Sequence, residues 1–138
     1  MSKRNVGWVI AMLCAIGCAG PRVLRADDGT QRRAFFETRV RPLLIEKCYE
    51  CHAADTEASG GLLLDSRAGW QRGGDSGAAI VPGKPDGSRL LKAVEYSDTE
   101  LQMPPDGPLS AAEVAVLRQW IAEGADDPRE GSVAVAPK

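Results

Sequence analysis

The stretch Lys-Cys-Tyr-Glu-Cys-His-Ala, residues 47–53, places two of the chain's four cysteines and its single histidine within five positions. Residues three apart are neighbours on a helical turn, so Cys48 and Cys51 share a face and His52 follows directly. Whatever folds around this segment must hold three reactive side chains together. Covalent haem attachment through C-x-x-C-H, a metal site and a redox dithiol all use such a set.

The rest of the chain is poor in core material. Aromatic residues make up 5% of the 138, and the run GGDSGAA at 73–79 has no Walker lysine and reads as turns. A domain this lean needs a staple, such as a disulfide, a metal or a cofactor.

The N-terminus narrows the choice. Lys3 and Arg4 precede an uncharged run of 14 residues, Val6–Ala19, too short for a bilayer-spanning helix and suited to a secretory signal peptide over residues 1–26. Ala15-Ile16-Gly17-Cys18 also loosely resembles a lipoprotein signal, so Cys18 is a second candidate processing point and the one expected route to a membrane. Cleavage after Ala26 removes Cys14, Cys18, Met1 and Met12, leaving Cys48, Cys51, His52 and Met103. It also removes four of the 17 Lys and Arg residues and none of the 19 Asp and Glu, for a net charge of −6. No basic stripe for nucleic acid remains. Export to the periplasm or cell envelope means that paired thiols become oxidised or covalently used.

The periodicity predicts helices. Residues 27–33 are polar and expected to be a flexible segment; from Ala34, Phe36, Val40, Leu43 and Leu44 line one face, with Pro42 opening a second helix or kinking the first. Asp65–Trp70 reads as a short capped helix, and Ser88 as the cap of a helix carrying Leu90, Leu91 and Val94. Residues 101–108 read as extended, proline-stiffened chain. Ser110 and Glu113 form a capping box, flanked by Leu109 and Val114 as a hydrophobic staple. The helix that follows has Val114, Leu117, Trp120 and Ile121 as its apolar face and stops at Gly124. The expected fold is a small all-α domain over 34–128, with long irregular loops and a disordered tail over 129–138.

Haem suits the motif best. Two thioether bonds and an axial imidazole are what C-x-x-C-H provides, and a methionine sulfur commonly supplies the second axial ligand. Met103 is the candidate for it, on a segment stiffened by Pro104 and Pro105. Zinc wants four ligands where Cys48, Cys51 and His52 supply three. A dithiol oxidoreductase wants the cysteines at a helix start within a βαβ pattern. A disulfide between Cys48 and Cys51 closes too small a loop to stabilise much.

The segments FFETRVRPLLIEKCYECH, GGLLLDSRAGWQRGGDSGAAIVPGKPDGSRLLKAV, LQMPP and LSAAEVAVLRQWIAEGA, in this order, closely resemble the planctomycete-type cytochrome c module. The likeness runs from about Phe35 to Pro128, with GADDP at 124–128 lacking a tryptophan often found there. It implies a class I-like cytochrome c fold with one covalently bound haem c, held by Cys48 and Cys51, with His52 proximal and Met103 distal. It further implies that the N- and C-terminal helices pack together, bringing Phe36 and Val40 near Leu117, Trp120 and Ile121. Members commonly open much larger exported proteins.

We expect further that Pro82 offers its carbonyl to Nδ1 of His52, and that Trp70 and Arg67 meet the haem propionates. The function expected is a periplasmic monohaem electron carrier, not an enzyme, serving a redox partner protein. Its rivals are a haem enzyme or ligand sensor with a labile distal position, and a haem-free thiol-disulfide oxidoreductase.

Overall fold

Pro42 decides how the N-terminal helical path is built in the computed structural model, which describes residues 26–129. Having no N–H, Pro42 cannot complete the bond to residue 38, and its ring crowds that carbonyl. The path runs as α1 (Ala26–Phe35), a π turn (Phe36–Val40) and α2 (Arg41–Lys47), with the Arg41 N–H reaching back to Phe36 O. Pro42 thus both opens a helix and widens the turn before it. The polar segment 27–33, expected to be flexible, lies inside α1, which leads into the π turn where Phe36 is the first fully buried side chain.

At Cys48 the backbone leaves the helical region (φ −126°, ψ −35°) and a single further turn, α3 (Tyr49–His52), carries the rest of the motif. The N–H groups of Cys51 and His52 both bond Cys48 O, at 3.2 and 2.9 Å.

Among the described residues, two of the three remaining α-helices are capped as their sequences predict. Ser66 caps α4 (Arg67–Arg72), its Oγ accepting from Gly69 N at 3.2 Å. Ser110 and Glu113 form the expected capping box on α6 (Ala111–Ala122). Gly124 ends that helix at φ +102°, with Ala125 N–H returning to Trp120 O. Ser88 precedes α5 (Arg89–Val94) but makes no cap bond. It is buried, accepting from Val81 N at 2.9 Å and donating to Lys84 O at 3.0 Å, so its hydroxyl ties the preceding turn together. Among the described residues there is no β-strand, only an isolated bridge between Gly74 and Gly77.

The helices close around one apolar cluster that includes Phe36, Val40, Leu44, Leu64, Trp70, Leu91, Leu117, Trp120 and Ile121. The π turn packs on α6, with Phe36 and Trp120 ring centroids 5.7 Å apart, so the expected pairing of terminal helices is present. Trp70 meets Trp120 edge-on at 5.9 Å. The fold is the small all-α, cytochrome-like arrangement expected. Among the described residues, no helix is long and apolar enough to cross a membrane. Apart from Ala26, the expected signal peptide falls outside the described residues, as do Cys14, Cys18 and residues 130–138.

Candidate cofactor site

The three motif side chains and Met103 meet at one cavity. It has a volume of about 560 Å³, within the roughly 300–1,000 Å³ usual for cofactor sites. Cys48, Cys51 and His52 come to it from the α3 turn and Met103 from the loop before α6, while Leu62, Leu64, Leu90, Val94, Leu101 and Leu109 supply apolar wall. The helix α2 delivers the motif by burying Leu43 and Leu44, and the Cys48 N–H stays bonded to Leu44 O at 2.9 Å. Met103 is placed by its N–H to Ala93 O at 3.1 Å, and the Tyr96 hydroxyl donates to the next carbonyl, that of Pro104.

His52 is oriented from its side and from its backbone. Its Nδ1 lies 3.2 Å from Leu62 O, and its carbonyl accepts from Leu64 N at 2.7 Å. With Nδ1–H donating to a carbonyl, Nε2 carries the lone pair that a metal ligand needs. The acceptor is therefore Leu62 and not the expected Pro82, which is exposed and absent from the cavity wall. Segment 62–64 runs beside the motif turn, and it reaches the ring first.

The thiols of Cys48 and Cys51 are both free of disulfide. Burial pushes the Cys48 thiol up to about 11, so it remains protonated at neutral pH. Charge gathers at the cavity edge, where Glu46, Glu50, Asp106 and Glu113 outnumber Lys47 and Arg89. Lys47 bonds Glu46 at 2.8 Å, which raises its pKa.

Trp70 and Arg67 do not line the cavity. Trp70 is buried in the core and its indole N–H donates to Asp127 Oδ2 at 2.9 Å, which commits the donor expected for a propionate. Arg67 sits exposed in the first turn of α4.

The expected tail begins at Arg129, yet that residue is built into the interior. The side chains of Arg129 and Asp127 are 8% and 0% exposed and paired at 2.5 Å. Burial pushes the Asp127 carboxyl up, but hydrogen bonds from Arg129 and Trp70 outweigh it and leave the pKa below the ordinary Asp value. A sequence clue existed: a buried indole needs an acceptor, and Asp127 follows the end of the helix that carries the neighbouring Trp120.

These residues fit a covalently bound haem: two thiols one turn apart, an imidazole with its Nδ1 engaged, a thioether on a separate segment, and apolar walls between. Residues 48–107 match the family described as Planctomycete cytochrome C. No curated protein and no solved structure matches the chain.

Proposed function

Starting from the planctomycete-type cytochrome c domain that this chain carries, we propose that it is an exported monohaem electron carrier. The observation that carries the reading is the convergence of Cys48, Cys51, His52 and Met103 on one cavity. Haem c, when bound, supplies the one-electron Fe(II)/Fe(III) couple. Cys48 and Cys51 would hold it by thioether bonds, His52 would ligate through Nε2, and Met103 would offer a thioether as the second protein ligand. The sequence has one C-x-x-C-H, which supports one haem per chain. If His52 and Met103 both ligate, the protein would leave no open position for substrate chemistry, which supports transfer of single electrons to a partner protein as the role.

The uncharged N-terminal run supports export, and Cys18 is the candidate point for a lipid tether. An absorption spectrum after alkaline pyridine treatment tests the core of the reading. Haem that stays with the chain supports it; a spectrum without haem would leave the dithiol oxidoreductase as the better account. Met103→Ala should open a coordination position and lower the reduction potential, since methionine ligation raises it. An unchanged potential and ligand spectrum in that variant would remove Met103 from the site.

The rival reading, a labile distal position, has its own test. Carbon monoxide binding to the untouched reduced protein would mark a ligand sensor or haem enzyme with a labile distal position; its absence supports the carrier.

A further inference from the structure

We propose that Arg129 is a positioning residue of the haem site, acting through Leu64 and Tyr49 on the turn that holds Cys48, Cys51 and His52. The proposal rests on the haem reading above. It places part of the site beyond the family match, which ends at residue 107.

The anchor of this device is the core. Asp127 receives the Trp70 indole N–H at 2.9 Å, and Arg129 gives it Nε at 2.9 Å and Nη2 at 2.5 Å. The guanidinium also lies over the Phe36 ring, 4.9 Å from its centroid. Two rigid aromatic side chains therefore fix where the fork sits.

The remaining nitrogen of the fork faces the motif. Nη1 donates to Leu64 O at 3.0 Å and to the Tyr49 hydroxyl oxygen. Leu64 in turn donates its N–H to His52 O at 2.7 Å, and Leu62, two residues earlier, is the partner of His52 Nδ1 at 3.2 Å. Tyr49 sits between Cys48 and Cys51 in the motif itself. One cation thus grips both the turn that bears the ligands and the segment that orients the imidazole. Segment 62–64 belongs to no helix or strand, so these bonds hold it together with the burial of Leu63 and Leu64. Only a planar fork can serve Asp127, Leu64 and Tyr49 at once; a lysine ammonium cannot reach all three.

Loosening segment 62–64 weakens the Nδ1 hydrogen bond, makes His52 a poorer donor and favours the ferrous state. Partners that orient a ligating histidine are worth roughly 10–100-fold in metal affinity, and Arg129 acts on them indirectly through Leu64, so the low end, about tenfold, is expected for the ferric state relative to the ferrous. The test uses full-length, haem-loaded protein carrying Arg129→Gln, Arg129→Lys, Tyr49→Phe or the core control Ile121→Val. At the wild-type midpoint potential, the ferric-to-ferrous ratio should fall about tenfold in both Arg129 variants, about 59 mV for one electron. Their ferric electron paramagnetic resonance g values should move with it, Tyr49→Phe should shift both readouts less, and Ile121→Val should move neither.

If Arg129→Gln does not accumulate with haem, Arg129→Lys and Tyr49→Phe decide by the same two readouts. Haem-loaded Arg129 variants with wild-type g values and a ratio changed less than twofold would overturn the proposal, whatever their stability. Absence of covalent haem from the unsubstituted protein would overturn the haem reading and this proposal with it.

Discussion

Replacing Asp127 by alanine tests whether the buried ion pair stabilises the fold as its geometry implies. The carboxylate is fully buried and accepts four hydrogen bonds, from Trp70 Nε1 and from Arg129 N, Nε and Nη2. Removing it strands a guanidinium whose side chain is only 8% exposed and an indole N–H whose acceptor is gone. Breaking a buried pair from one side costs about 3–5 kcal/mol, against about 0–1 kcal/mol for an exposed one. Guanidinium chloride unfolding of the haem-loaded protein, with a slope of about 4 kcal/mol per M for a domain this size, should show the midpoint falling by about 1 M. The pair Asp127→Leu with Arg129→Met should recover about half of that loss or more, because neither charge is left alone. The pH dependence has a definite sign. The folded pKa of Asp127 lies below its unfolded value near 3.8, so its contribution is complete above that pH and is lost as pH falls through the folded pKa. The gap between wild type and Asp127→Ala should therefore be constant from about pH 5 to 8 and shrink below about pH 4. A loss under about 1 kcal/mol, or a gap that ignores acid, would refute the reasoning.

Other perturbations isolate other parts of the fold. Phe36→Ala removes a ring that contacts both Trp120 and the Arg129 guanidinium, and should cost about 3–5 kcal/mol in the same unfolding assay. Gly69→Ala would set a methyl 2.7 Å from Leu63 Cβ and 2.9 Å from Leu63 O, and should cost about 1–3 kcal/mol by overpacking despite the better helix propensity of alanine. Ser110→Ala takes away one half of an exposed capping box, so a loss of about 1 kcal/mol with an unchanged visible spectrum is expected. A chain with Cys48→Ala and Cys51→Ala, expressed without haem, leaves the leucine-lined cavity to water, and its near-ultraviolet circular dichroism should show no cooperative melt.

Much of this site was legible in one dimension because its chemistry is local. Cys48, Cys51 and His52 lie within one helical turn, so their spacing alone puts them together, and Met103, the single methionine past the expected cleavage point, stood out as the candidate that the structure brings to the same cavity. The capping box of α6 and the apolar faces that pair Phe36 with Trp120 are likewise short-range patterns, set by backbone donors and by a period of 3.6. The partners of these residues were not legible. That Leu62, and not Pro82, meets His52 depends on how an irregular segment is laid beside α3, and any carbonyl in the chain has the same chemistry. Ser88 looks like a cap in sequence, but a buried hydroxyl bonds whatever the turn brings nearest.

Arg129 is the sharpest case. By itself it reads as one more charge near a polar C-terminus, 80 residues from Tyr49 and 65 from Leu64. Sequence determines which side chains can ligate, cap and pack, because those properties belong to the residue and its near neighbours. Which buried donors and acceptors find one another, and so what holds the His52 imidazole in place, is decided only when distant segments close on a common core.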